Sequence, residues 1–186
     1  MTASTATAPA VITTWNIDPA HSSAEFKVKH MMISNVKGAF KGISGVLKLN
    51  EADPARSSIE AAIPVASLST GDEQRDGHLK SPDFFDADKF PTFTFKSSEV
   101  ERTEPGEHAV VGELTLHGVT RAVSFAVEGP SAPGKDPWGN TRIGLSATAR
   151  INRKDFGLTW NSALETGGVL VGEDVAITLD IQFIKA

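Results

Sequence analysis

The sequence predicts an all-β fold, built as an antiparallel up-and-down barrel or a sandwich. From Trp15 onward, apolar and polar residues alternate in repeated runs, and a period of two is typical of half-buried strands. Short segments rich in Gly, Pro, Asn and Asp join most runs, and they leave no room for the crossover helices that parallel strands need. Neighbouring strands are therefore expected to be antiparallel, and closure into a barrel would remove exposed sheet edges.

The strands are predicted from the phase of the alternation. In SAEFKVKH at residues 23–30, Phe26, Val28 and His30 share one face, while the charged residues between them share the other. The final run alternates more regularly, from Val175 to Phe183. This final run is the predicted strand at residues 174–184. Between it and the run at residues 23–30, strands are predicted at residues 38–49, 58–65, 91–101, 107–117, 119–128 and 140–152.

A hairpin is predicted in GELTLHGVTRAVSF at residues 112–125. His117, Gly118 and Val119 form its tight connection, and Gly118 is able to adopt the positive φ that such turns require. The two flanking strands should therefore pair with each other.

Two stretches interrupt the alternation, and short helical insertions are predicted near residues 70–90 and 158–170. In the first stretch, Thr70 and Glu73 fit a capping box, and Ser81 with Pro82 fits the start of a second short helix. The second stretch contains Trp160 and several glycines, which fits a flexible flap or a short helix.

Length and composition indicate one folded domain. A chain of 186 residues fits a single domain, which we place at residues 14–186 behind a flexible polar tail at residues 1–13. The net charge of −5, with both signs interspersed, argues against a nucleic-acid partner. The chain has no cysteine, which excludes disulfides, thiolate metal sites and thiol nucleophiles.

No run of about eighteen apolar residues occurs, so no membrane-spanning helix is predicted. The first residues, MTASTATAPAV, show neither the basic start nor the apolar run of a secretory signal. A cytoplasmic location is therefore expected, or a periplasmic one if the N-terminus is incomplete.

Five separated blocks carry a family resemblance. They are WNIDPAHSSAEFKVKH at residues 15–30, GAFKGISG at 38–45, RDGHLKSPDFFDADKFP at 75–91, GELTLHGVT at 112–120 and INRKDFG at 151–157. In this order they resemble the YceI-like family of lipocalin-like, polyisoprenoid-binding proteins. The resemblance implies an eight-stranded antiparallel up-and-down β-barrel around an elongated apolar cavity that holds an isoprenoid tail, often in a homodimer.

The residues predicted to contact the lipid belong to the apolar phases of the strands. An eight-stranded barrel is just wide enough to be filled by side chains or to hold a small ligand, so simple core filling is the alternative role for the same residues. The predicted lipid-binding residues are Phe26, Val28, His30, Phe93, Phe95, Leu114, Leu116, Val123, Phe125, Leu179 and Ile181.

Three of the side chains are candidates for a polar head group. His30 could hydrogen-bond a quinone carbonyl, a phenol or a phosphate, unless a neighbouring strand or water satisfies it. Arg150 and Arg153 could pair with a diphosphate or a carboxylate, because a guanidinium matches such oxygens bidentately. The alternative for both arginines is an ordinary surface salt bridge.

A further group of charged and aromatic residues is predicted to close the barrel mouth. The charges would cap and anchor the helical insertion, and the phenylalanines would cover the apolar opening. Direct contact of these charges with a head group is the alternative. The predicted plug consists of Arg75, Asp76, His78, Phe84, Phe85 and Phe90.

The sequence therefore predicts a non-catalytic binding or carrier protein. Its ligand would be a long-chain polyisoprenoid or an isoprenoid-quinone-type amphiphile, with no other cofactor, no metal and no catalytic residue, because HExxH and nucleophile motifs are missing. One alternative is a lipid-modifying isomerase or hydrolase that uses His30 or the cluster of Arg75, Asp76 and His78. Another is a stress-related interaction protein with a filled barrel.

Overall fold

The computed structural model describes residues 11–186, so most of the predicted tail at residues 1–13 lies outside the described residues. The described part forms eleven strands, one α-helix and four short 3₁₀ helices. The strands are β1 Ile12–Ile17, β2 Ser23–His30, β3 Ser34–Phe40, β4 Ser44–Asn50, β5 Ser58–Pro64, β6 Thr92–Glu104, β7 Glu107–Leu116, β8 Val119–Glu128, β9 Gly134–Lys135, β10 Thr141–Asn152 and β11 Val171–Lys185. The helix α1 spans Glu73–Lys80, and the 3₁₀ helices span Pro19–His21, Pro54–Arg56, Val65–Ser67 and Arg153–Phe156.

These strands close into an eight-stranded antiparallel barrel, as predicted. The sheet order is β3-β2-β11-β1-β4-β5-β6-β7-β8-β10-β9, and a further pairing of β11 with β10 closes the ring. One edge of β11 pairs with β10, whereas the other pairs with β2 along most of its length and with β1 near its end. In the ring, β1 and β2 together form one bent strand, and β3 and β4 form another. The other six strands of the ring are β5, β6, β7, β8, β10 and β11.

The prediction of a single strand at residues 38–49 is wrong, because a bend separates β3 from β4 within this range. Gly42 lies between β3 and β4 with φ +71°, a left-handed conformation that favours glycine and interrupts the strand. At the equivalent break before β2, Asp18 caps the 3₁₀ turn by accepting a hydrogen bond from the backbone nitrogen of Ala20 at 3.0 Å. Both bent strands therefore change direction within the wall of the barrel.

A polar network holds the bend between β1 and β2. Arg142 on β10 donates through Nη1 to Asp18 Oδ2 at 2.5 Å and through Nε to Asp136 Oδ2 at 2.7 Å. The Nδ1 atom of His21 lies 2.8 Å from the same Asp18 oxygen. Because Arg142 stabilises both carboxylates, the pKa of Asp18 is lowered to about 2 and that of Asp136 lies well below its usual range.

The hairpin between β7 and β8 is confirmed and is tighter than predicted. His117 and Gly118 alone form the connection, with φ values of +53° and +71°, and Val119 already belongs to β8. Two positive φ angles are the signature of the turn that matches strand twist in hairpins. Nδ1 of His117 also lies 3.1 Å from the carbonyl of Phe156, which ties this turn to the 3₁₀ helix Arg153–Phe156.

The structure contains only part of the predicted helical insertions. Near residues 70–90, the single helix α1 is capped by Asp72, whose side chain accepts from the backbone nitrogen of Arg75, and not by Thr70. Turns replace the second helix expected after Ser81. Residues 158–170 contain no helix, because the helical turn ends earlier, at Gly157 with φ +76°.

The barrel has two different ends. The helix end carries the Met31–Ile33 turn, α1, the hairpin at residues 117–118 and the segment at residues 153–170. The termini end carries the start of β1, the end of β11, and the connections at residues 51–57, 105–106 and 129–140.

The lowered pKa of Asp18 predicts acid sensitivity of the bend. A carboxylate whose folded pKa lies below the ordinary 3.8 stabilises the fold above that value and loses this effect as the pH falls towards about 2. We expect Asp18→Asn to lower the free energy of unfolding by about 2 kcal/mol at neutral pH, because a charged hydrogen-bond partner is lost. Urea unfolding of both proteins across this range should show the difference shrinking between about pH 4 and pH 2; a difference that stays constant down to pH 2 would contradict this account.

Candidate functional site

The barrel encloses an apolar cavity of about 270 Å³. Its wall is formed by inward side chains from the strands of the ring and by aromatic side chains from the helix end. The wall includes nine of the predicted lipid-binding residues, namely Phe26, Val28, Phe93, Phe95, Leu114, Leu116, Phe125, Leu179 and Ile181. For these nine residues, the alternation in the sequence therefore predicted correctly which side chains point into the barrel. Their contact with a lipid stays a prediction.

Two predicted lipid-binding residues lie off this wall. Val123 is buried in the core, opposite Gly112 in the register of β7 and β8, but it does not line the cavity. His30 is half-buried at the last position of β2, beyond Val28, where the lining of this strand ends. His30 therefore does not line the cavity, because it lies beyond the level at which the wall ends on β2, and its contact with a lipid stays a prediction.

Aromatic rings on the wall lie against glycines of neighbouring strands. A Cβ atom at Gly112 would stand 2.5 Å from the ring of Phe95, and one at Gly38 would stand 2.4 Å from the ring of Phe26. Side chains at these two positions would force the rings towards the barrel axis. Glycine in a strand interior often marks such a close approach, and here it helps to keep the centre of the barrel free.

At the helix end, part of the predicted plug covers the cavity. Phe84 and Phe85 line the wall, and the ring of Phe85 lies 5.1 Å from that of Phe93 and 6.1 Å from that of Phe40. Phe90 lies outside, with its ring 5.1 Å from that of His117. Aromatic contacts therefore close this end of the cavity.

The charged members of the plug make local structural contacts. Asp76 accepts hydrogen bonds from both the backbone nitrogen and the hydroxyl of Thr70, and Arg75 donates to the hydroxyl and the carbonyl of the same residue. Nε2 of His78 lies 2.9 Å from Asp83 Oδ2. Arg75, Asp76 and His78 do not line the cavity, so they anchor the insertion.

The two candidate arginines differ in burial and in hydrogen bonding. Arg150 is exposed on the outer face of β10, whereas Arg153 is only 3% exposed and lines the cavity near the helix end. Arg153 donates to four backbone carbonyls, those of Leu158, Trp160, Val171 and Gly172. Burial lowers the pKa of Arg153. The surface salt bridge considered for Arg153 is wrong, because its guanidinium braces the segment that follows the 3₁₀ helix.

The wall residues that the sequence analysis missed include a histidine. His108, the second residue of β7, is 9% exposed and lines the cavity at the termini end. Its Nε2 atom is buried and has no hydrogen-bond partner among the described residues. The alternation could have identified it, because His108 shares the inward phase of Val110 and Leu114.

The described residues contain neither a metal-ligating cluster nor a membrane-spanning helix. Within residues 11–186, no group of three or more His, Cys, Asp or Glu side chains is arranged to hold a metal ion. In the same range, no helix has the length and apolar character needed to cross a bilayer. The Asp18 and His21 side chains of the DPAH segment belong instead to the network around Arg142.

The contrast between the arginines predicts different mutational effects. We expect Arg153→Leu to lower the free energy of unfolding by about 3 kcal/mol, because four buried or partly buried carbonyls lose their donor. It should also increase hydrogen exchange at residues 158–170. Arg150→Leu is the matched control and should change stability by less than about 0.5 kcal/mol. Equal effects of the two substitutions would refute a bracing role for Arg153.

Comparison with known sequences places the chain in one family. The model of the YceI-like domain matches residues 15–183. A UPF0312 protein of Staphylococcus aureus strain N315 is 39% identical over 173 residues, covering 92% of this chain and 98% of that protein. The corresponding protein of strain USA300 is also 39% identical over the same length.

Solved structures agree with this assignment. BcnA of Burkholderia cenocepacia has a TM-score of 0.75 at 26% identity, over 89% of this chain and 98% of that one. The YceI protein of Campylobacter jejuni has a TM-score of 0.70 at 31% identity, over 85% and 90%. A polyisoprenoid-binding domain from Saccharophagus degradans, implicated in plant cell wall breakdown, shares the fold with a TM-score of 0.66 at 16% identity, over 95% and 100%. From residue 15 to residue 183, the chain is a member of the YceI-like family.

Proposed function

We propose that this protein is a non-catalytic binding or carrier protein that holds a polyisoprenoid or a similar long amphiphile inside its barrel. The observation that carries the proposal is the apolar cavity of about 270 Å³ within the ring of strands. Apolar cavities of roughly 150 Å³ already stay dry and take up apolar molecules. A larger cavity of the same character favours an apolar guest over water.

The energetics of burial support a long apolar chain as the ligand. Each buried methylene contributes about 0.8 kcal/mol, so about twenty of them offer a gross driving force on the order of 15 kcal/mol. The costs of association and of ordering the chain reduce this figure considerably. The polyisoprenoid-binding domain from Saccharophagus degradans, which shares the fold, supports the isoprenoid class of ligand.

Two observations favour binding over the alternatives. The cavity itself favours a ligand-binding barrel over an interaction protein with a filled barrel. The wall also offers little for catalysis, because Arg153 donates to backbone carbonyls and His108 lacks a hydrogen-bonded nucleophile among the described residues. Nucleophilic catalysis generally requires a nucleophile and a base within hydrogen-bond reach.

A charge placed on the wall should abolish binding. We expect Phe95→Asp to reduce co-purified lipid to a small fraction of the wild-type amount, because an unpaired carboxylate in an apolar cavity is costly. Arg102→Ala is the control, since Arg102 is exposed near the end of β6 and does not line the cavity. The readout is the lipid extracted per mole of protein, after circular dichroism has shown that each variant is folded.

A second substitution covers the case in which Phe95→Asp does not fold. Ala61 lines the cavity opposite Phe95 in the register of β5 and β6. Ala61→Phe should occupy cavity volume without adding charge and should likewise reduce the lipid load. A folded Phe95→Asp or Ala61→Phe protein with its full lipid load would place the ligand outside the barrel.

A further inference from the structure

We infer that His108 binds the head group of the ligand, and that this head group is neutral and carries an oxygen that hydrogen-bonds an imidazole, such as a hydroxyl or a carbonyl. The inference rests on the proposed function, because it assumes that the tail occupies the cavity. It adds the position of the head, at the termini end of the barrel, and its chemical class.

The first reason is the unsatisfied state of His108. Its side chain is about nine-tenths buried and faces the cavity, and Nε2 has no hydrogen-bond partner among the described residues. Buried polar atoms in folded proteins are nearly always paired. Its cross-strand partner on β8 is Val127, and the next inward residue of β7 is Val110; neither has a side-chain donor or acceptor. A ligand oxygen is therefore the partner that this position fits.

The second reason is the contrast with Arg153 near the opposite end. Arg153 is the buried cationic side chain among the described residues of the cavity wall, and it already donates to four backbone carbonyls. It therefore has little capacity left for a ligand. Of the two buried polar side chains on the wall, His108 is the one with free hydrogen-bonding capacity.

The third reason concerns the charge of the head group. A buried diphosphate requires several cationic donors, but the cation nearest to His108 in the strand register is Arg102, its cross-strand partner on β6. Arg102 is exposed and lies off the cavity wall, so its charge is solvated. A single imidazole suits one neutral oxygen and does not suit a diphosphate.

The other orphaned buried atom does not compete with this assignment. Nδ2 of Asn50 is buried, has no partner within residues 11–186, and also lies at the termini end, at the last residue of β4. However, Asn50 does not line the cavity, and its Oδ1 accepts from the backbone nitrogens of Ala52 and Asp53. Its amide therefore shapes the turn after β4.

The test uses delipidated protein and three probes with one isoprenoid skeleton. The probes are geranylgeraniol, the corresponding hydrocarbon without the hydroxyl, and geranylgeranyl diphosphate, each measured by equilibrium dialysis. We expect the wild type to prefer the alcohol over the hydrocarbon by about tenfold, as one buried hydrogen bond allows. His108→Leu should remove this preference and leave the affinity for the hydrocarbon within about twofold.

Two further variants separate a hydrogen bond from a packing effect. His108→Gln keeps a donor and an acceptor and should retain most of the preference for the alcohol. Arg102→Ala should leave the affinities for the alcohol and the hydrocarbon unchanged. Thermal unfolding of each variant shows whether the barrel is intact before binding is compared.

Each remaining outcome counts against a defined part of the inference. If the wild type binds the alcohol and the hydrocarbon equally, or if His108→Leu weakens both equally, the head-group contact is overturned while binding of the tail stands. If the diphosphate binds more tightly than the alcohol and Arg102→Ala weakens it, the neutral class is overturned. If none of the three probes binds the wild type, the proposed function itself fails.

Discussion

The hydrogen bonds along both edges of β11 close the sheet, and the cavity depends on that closure. The strand pairs with β10 from Asp174 to Ile184, while its other edge pairs with β2 and then with β1. Because β2 and β1, the two arms of one bent strand, share this side of β11, the bend between them must be held in place. The carboxylate of Asp18 and the guanidinium of Arg142 join the bend to β10 across the end of β11, so the ion pair supports the seam of the barrel.

A closed ring with apolar inward side chains has few places for polar groups, and this barrel keeps them near its two ends. Near the helix end, Arg153 is fully engaged by backbone carbonyls and gives rigidity to the segment that covers the cavity. At the termini end, His108 has an unengaged nitrogen. The same physical rule, that buried polar groups need partners, explains the structural role of Arg153 and is the basis of the ligand contact proposed for His108.

Much of the fold could be predicted from the sequence because a period of two is a strong signal. Phe93, Phe95 and Phe125 line the cavity as their phases require. The bend at Gly42 could not be predicted, because a glycine within an alternating run leaves the pattern unchanged until its φ is known. His30 keeps the inward phase but stands beyond the end of the wall, and no local pattern reports where a barrel ends.

The polar residues were harder to assign, since their roles depend on distant partners. A long irregular segment separates Arg153 from two of its carbonyl acceptors, at residues 171 and 172. The sequence does not show that this segment folds back over the arginine side chain. The outward side chains of α1 were predicted as anchors, and their contacts with Thr70 agree with that role. The homodimer and the cytoplasmic location stay predictions.

The central claim is that the barrel interior holds a long apolar ligand. Native mass spectrometry of the freshly purified protein tests it most directly, with organic extraction and accurate mass determination of whatever is released. The account predicts a complex of one isoprenoid-type amphiphile per barrel, lost in the folded Phe95→Asp variant. Protein that carries no lipid as isolated, and that takes up none after exposure to a membrane lipid extract, would contradict it.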